Sequence, residues 1–279
     1  MRGQGWNAGD GGLGGPLSKG SKGGGLASRG RGAALMQSRP MTVVTPEIQA
    51  LIDRHYPEGS HPYRILERAI KDHAGAEDTV LDIGCGRTAP QLSALKGHAR
   101  RLIGIDLVEF NVSDQDLRLI NTNVGQMDAL ESASVDLSYS RSVMEHVEDV
   151  DRAYGEIARV LKPGGRYIFL TPSLWDYASL IAYVTPNSLH PAIVKHVEGR
   201  KEEDTFPTHY KSNTRGAIER LAARHGFHVE EFSYLGQYPN YLVFSRPLFW
   251  LGCKYDRFLA KHRALNFLLG WIYCVLRKA

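Results

Sequence analysis

Cysteine is scarce in this 279-residue chain: Cys85, Cys253 and Cys274 are too few and too scattered for a disulfide framework. No Cys/His cluster has zinc spacing, and no metal is expected. No stretch reaches the roughly 18–20 apolar residues that span a bilayer. The amino end lacks the apolar core of about 7–15 residues that a secretory signal needs. A reducing, cytoplasmic setting is therefore expected. A dominant charge of one sign is missing too, since 34 Lys+Arg against 30 Asp+Glu leaves +4. That balance hides a split: +5 over residues 1–40, −7 over 41–245 and +6 over 246–279. The acidic middle argues against a nucleic-acid-binding body, which needs a basic face. What is present is a globular composition, 43% hydrophobic, with ample length for a core.

Glycine marks the first boundary. Residues 1–40 hold 13 of the 29 glycines, too dense to bury enough apolar area against their ordering entropy, so they are expected to be a disordered basic extension. Met36 and Met41 read as alternative starts. Ile65, Leu66, Ala69 and Ile70 then lie on one face of an amphipathic helix, with Pro62 in its first turn. From Thr79 short apolar runs alternate with helical ones: strands at 79–83, 101–105, 120–124, 134–139 and 166–171, and a helix at 150–161 stopped by Lys162-Pro-Gly-Gly165. Such alternation predicts a parallel sheet covered on both faces. Residues 172–211, punctuated by four prolines, read as a lid or insertion inside a domain spanning 41–245. A helix at 214–225 closed by Gly226 and two last strands at 227–234 and 240–244 complete the expected order.

The chemistry concentrates at Asp82-Ile-Gly-Cys-Gly86, where a buried strand ends and a helix is expected to open. Glycines there let a ligand approach the backbone, and free N–H groups favour an anion. Asp106 ends the next strand, where a carboxylate can take both hydroxyls of a ribose. Met127-Asp128-Ala129 follows the third strand, placed to hold an adenine ring. All three fall at carboxyl ends of strands, where open α/β sheets bind ligands.

Together with Ile103-Gly-Ile-Asp106, Ser134-Val-Asp-Leu-Ser-Tyr-Ser140 and Val160-Leu-Lys-Pro-Gly-Gly165, these motifs resemble, in order, those of class I S-adenosylmethionine-dependent methyltransferases of the type 11, small-molecule branch. The resemblance covers about residues 79–171. It implies a doubly wound, Rossmann-like sheet of seven strands, mostly parallel with one antiparallel, and helices on both faces. It implies S-adenosyl-L-methionine as cofactor, with Asp82, Gly84, Cys85 and Gly86 along its methionine and ribose, Asp106 on the ribose hydroxyls and Leu107 beside the adenine. Asp128 would meet the adenine amino group, Met127 and Ala129 would flank the ring, and Ser140 and Arg141 would face the methionine moiety and the acceptor. The chain departs from the family where a third glycine often stands: Thr88 occupies that position, and a different helix entry is expected. NAD binding shares the sheet and the ribose carboxylate, but the Lys-Pro-Gly-Gly turn and Met-Asp-Ala argue against it.

Methyl transfer needs donor and acceptor held in line, and a base where the acceptor carries a proton. His146, just after the fourth strand, is the candidate. His209 and Tyr210 are candidate acceptor-binding residues, as are Trp175 and Tyr177. O-methylation of a small-molecule or lipid-linked acceptor is expected ahead of C- or N-methylation. A catalytically silent binding subunit and a protein or RNA methyltransferase are the alternatives; the latter lacks the Asn/Asp-Pro-Pro-Tyr/Phe motif after strand four, where Ser140-Arg-Ser-Val143 stands.

The segment 246–279 is apolar and basic, with 13 uncharged residues from Ala264 to Leu276 before Arg277-Lys278. As a helix this run covers roughly 20 Å, short of a bilayer's roughly 30 Å core. The tail is expected to lie on a membrane surface, at its inner face, through interfacial helices.

Overall fold

The computed structural model describes residues 44–177 and 206–279. The expected extension, 1–40, and most of the expected lid, 172–211, lie outside the described residues.

Two helices open the described chain. Helix α1 (Pro46–His55) is capped by Thr45, whose side chain accepts the Ile48 N–H at 3.4 Å, and α2 (Pro62–His73) by the His61 ring, which accepts the Tyr63 N–H at 3.2 Å. Strand β1 (Thr79–Ile83) follows with all five side chains buried, as a strand covered on both faces must be. Then come α3 (Pro90–Ser93), β2 (Arg101–Asp106), β3 (Leu117–Asn121), β4 (Val135–Arg141), α4 (Val150–Val160), β5 (Leu161–Pro172), α5 (Arg215–Arg224), β6 (Phe227–Leu235), α6 (Arg246–Lys261) and β7 (Trp271–Lys278).

The strands form one sheet in the order β3-β2-β1-β4-β5-β7-β6. Pairings among the first five are parallel, and β7 runs antiparallel to both β5 and β6. Alternating side chains feed two cores. Leu81 and Ile83 pack with Tyr154 and Ile157 of α4 and Ile218 of α5; Val80, Leu137 and Tyr139 pack with Leu66 and Ile70 of α2. Helices thus cover both faces, and the order reverses between β1 and β4, the crevice where such sheets take ligands.

Three expectations are corrected. Residues 240–242 make a 3-10 turn, not a strand. The last strand comes instead from the segment read as a tail: β7, with Ile272–Leu276 fully inside. An unbroken apolar run fits a buried helix and a buried central strand equally well, and here β-branched and aromatic residues after Gly270 make the strand. The helix expected to open at the glycine turn shrinks to the four residues of α3, because Ala89 adopts a left-handed φ of +43° and Pro90 sets the helix start. No helix among the described residues is long and apolar enough to cross a membrane.

Candidate active site

The turn after β1 is built on two glycines with left-handed backbone, Gly84 at φ +79° and Gly86 at +74°. A Cβ at Gly84 would stand 2.3 Å from Val143 Cγ2, so no other residue fits there. A Cβ at Gly86 would meet nothing within 4 Å: the space beside this backbone is open. The turn is tied to β2, since Gly84 and Cys85 both donate their N–H to the Ile105 carbonyl, at 2.8 and 3.2 Å.

Asp106 organises the next edge. Its Oδ2 accepts the Gly86 N–H at 2.7 Å, and its Oδ1 accepts those of Leu107 at 2.7 Å and Val108 at 3.2 Å. A carboxylate has about four acceptor positions, so this one is held in place with room for about one hydroxyl donor more. Leu107 beside it is 55% exposed.

Asp82 is 2% exposed and faces Tyr139, its partner across the β1–β4 register, whose hydroxyl donates to Oδ2 at 2.9 Å. Burial pushes the Asp82 carboxyl up to about 7; Tyr139 and Arg141 oppose the rise and Asp106 adds to it. The Arg141 guanidinium lies 4.5 Å from the centre of the Tyr63 ring, joining α2 to the end of β4. Tyr63 meets Trp271 edge-on at 5.5 Å, and Trp271 Nε1 donates to Gln237 Oε1 at 2.6 Å. Cys85 is buried and its thiol is pushed up to about 12, first by burial and then by Asp82 and Asp106, so it packs and does not react as a nucleophile.

Not every expected residue reaches this edge. Met127 is fully buried among α4 side chains, with its N–H bound to Glu156 Oε2 at 2.8 Å. Ala129 lines a separate cleft at the amino ends of β1 and β2, where Arg118 holds its carbonyl at 2.9 Å. Of that trio only Asp128 presents an exposed polar side chain, 3.0 Å from Gln126 Nε2. Ser140 points into the core on the face opposite Tyr139 and Arg141, with its hydroxyl 2.7 Å from that of Tyr167.

Beyond β4 the chain turns through Ser142 (φ +55°) into a 3-10 turn, Met144–His146. The Glu145 carbonyl accepts the N–H groups of His209 at 2.7 Å and Tyr210 at 3.2 Å, so three expected residues, His146, His209 and Tyr210, do come together. His146 Nδ1 lies 3.0 Å from the Pro207 carbonyl. A carbonyl only accepts, so Nδ1 carries the proton and, in the neutral ring, Nε2 carries the lone pair. Nε2 stands 3.9 Å from Glu145 Oε1. Glu145 is 4% exposed and accepts the Thr171 hydroxyl at 3.1 Å, which in turn receives Asn213 Nδ2 at 2.7 Å. Tyr139, Tyr63, Thr171 and Asn213 are not among the site residues expected from the sequence. Tyr139 was open to discovery once β1 and β4 are paired in register; the others depend on long-range packing.

Residues 81–169 match a family model described as a methyltransferase domain. Over 185 residues the chain is 30% identical to a sterol 24-C-methyltransferase of Pneumocystis carinii, covering 60% of this chain and 45% of that protein. The chain spans about half the length of the curated relatives it matches. An S-adenosylmethionine-dependent methyltransferase from Mesorhizobium loti superposes with a TM-score of 0.54 at 19% identity, over 78% of this chain and 98% of that one. A geranyl diphosphate C-methyltransferase from Streptomyces coelicolor does so with a TM-score of 0.52 at 18% identity, over 78% and 79%. At these identities the structural likeness speaks for the fold.

Proposed function

The chain carries a class I methyltransferase domain, and from that premise we propose that it moves the methyl group of S-adenosylmethionine to an oxygen of a small, lipid-like acceptor. The observation that carries this reading is the Gly84–Gly86 turn, clamped through its Gly86 N–H to Asp106 and open beside Gly86. The residues present suit that cofactor. Open backbone at Gly86 admits a ligand, Asp106 retains acceptor capacity for a ribose, and the buried Asp82 carboxyl gains by meeting a cation. Once bound, S-adenosylmethionine supplies a methyl group already activated by the sulfonium charge.

The chain's own work is to position, to exclude water and to take a proton. The Pro207 carbonyl holds the His146 ring with Nε2 as its base, 3.9 Å from Glu145 Oε1. Tyr63 and Trp271 supply an aromatic rim suited to an apolar acceptor, and the Arg141 guanidinium stacks on Tyr63 beside it. A second reading, methylation at carbon, is favoured by the name of the sterol 24-C-methyltransferase relative.

Transfer of a labelled methyl group to hydroxylated and to sterol acceptors, with wild type and His146→Gln, tests both. On the oxygen reading His146→Gln lowers kcat by about 10²–10⁴ on hydroxyl acceptors while leaving cofactor affinity unchanged. Transfer insensitive to His146→Gln, or confined to carbon, contradicts it.

A further inference from the structure

Helix α6 shows three faces. Phe249, Cys253 and Leu259 turn inward, with Phe249 and Cys253 packed beside Ile48 of α1. A second face carries Leu248, Leu251, Tyr255 and Phe258, whose intervals of three, four and three keep them in one row, and Phe244 stands in the turn just before the helix. All five are exposed, Phe244 to 68% and Leu251 to 58%. A third face, beside that row, carries Trp250, Lys254, Arg257 and Lys261, with the Lys254 ammonium 5.1 Å from the Trp250 ring centre.

The basic face borders a cleft of about 470 Å³ between α1 and α6, lined by Leu51, Arg54, His55, Trp250, Lys254 and Arg257. Among the described residues no carboxylate lines it. Arg257 Nη1 lies 3.0 Å from His55 Nδ1, so the ring accepts there. Burial, then Arg257, Arg54 and Lys254, hold the His55 imidazole below its ordinary range. Asp256, the one acid of residues 246–279, sits away from the cleft lining, 3.2 Å from the Tyr56 hydroxyl that donates to it.

An exposed apolar row and an unneutralised cationic cleft on adjoining faces of one helix are both relieved by a single kind of partner, a surface where acyl chains lie beneath phosphates. We propose that α6 docks this protein on an anionic phospholipid bilayer. The row from Leu248 to Phe258, with Phe244 before it, enters the boundary between headgroups and chains, and the α1–α6 cleft takes a lipid phosphate. Trp250 suits the same depth, with its ring apolar and its N–H wet. The docking element is α6 and not the run Ala264–Leu276, whose latter half belongs to the sheet.

Flotation of the full chain tests this, with vesicles of phosphatidylcholine alone and of equimolar phosphatidylcholine and phosphatidylserine. The protein should float with the mixed vesicles and stay behind with the neutral ones. Two double variants, Leu251→Asn with Phe258→Asn and Lys254→Glu with Arg257→Glu, should each cut the bound fraction by roughly tenfold or more. Both alter exposed side chains, and an unchanged thermal melt reports that each is folded. Added inorganic phosphate at matched ionic strength should leave flotation intact. Failure to float with mixed vesicles, or equal flotation with neutral ones, overturns the proposal. Flotation that survives the Leu251/Phe258 pair or yields to free phosphate overturns it in favour of a soluble-anion site. Self-association without vesicles that the Leu251/Phe258 pair abolishes overturns it in favour of a contact between copies.

Discussion

At the scale of single residues, the two carboxylates at the ends of β1 and β2 do opposite things. Asp106 is spread over three backbone N–H groups and fixes the shape of the turn. Asp82 is sealed under Tyr139 with its carboxyl pushed up to about 7 by burial. In the folded chain without ligand this group keeps its proton up to about pH 7, whereas in the unfolded chain it ionises near 4. Unfolding between those values releases a proton, so this group makes stability fall as pH rises from about 4 to about 7 and adds no further slope above. A bound cation reverses the preference. Cofactor affinity should therefore rise with pH by up to about tenfold per unit until it levels off near 7, and Asp82→Asn should flatten both dependences. Thermal melts and titration calorimetry across that range check the two slopes; an Asn variant that keeps the wild-type slopes would remove Asp82 from the site. Asp82 and Asp106 were legible because each stands at the carboxyl end of an apolar strand, Asp82 one residue before it and Asp106 on it. Ser140 and Met127 misled because a motif gives the order of residues but not the face each occupies. Ser140 turns to Tyr167, and Met127 fills the core under α4.

At the scale of elements, β7 matters most. It joins β5 over Arg166–Pro172 and β6 over Phe227–Leu235, so without it neither edge is paired. A chain ended at Ser245 should show no cooperative thermal transition. Val275→Asp, which buries a charge at a fully enclosed position, should cost more than about 4 kcal/mol. A truncated chain melting within a few degrees of the full one would contradict the assignment of Trp271–Lys278 to the sheet. Four of the first five strands were readable as short apolar runs; the third, expected at 120–124, lies earlier, at Leu117–Asn121. The seventh was not readable, because five consecutive buried side chains carry no period of two and a run of that kind states burial without stating conformation. Helix α3 was misjudged for a local reason: Thr88 and a left-handed Ala89 replace the glycine that would let a helix start nearer the turn. Less of a helix terminus then stands beside the turn, so on the proposed reading Asp106 and the glycine backbone carry more of the binding.

At the scale of the molecule, the order β3-β2-β1-β4-β5-β7-β6 puts Asp82, the glycine turn, Asp106, Arg141 and the start of β7 at one edge of the sheet, around the β1–β4 reversal. The charge split gains meaning as well. The +6 of residues 246–279 splits into +3 on α6, which carries cations beside an exposed apolar row, +1 at Arg263, and +2 at the end of β7, where Lys278 bonds the Leu161 carbonyl at 2.7 Å. What joins these observations is the proposal that a cofactor sits on the Gly84–Gly86 turn and is held by Asp106. Titration calorimetry with S-adenosylmethionine, on wild type and on Asp106→Ala with its melt recorded alongside, tests that claim most directly. One-site binding that weakens by about tenfold to a hundredfold in a folded Asp106→Ala variant is the predicted result. No binding to the wild type, or equal affinity in both, would contradict it.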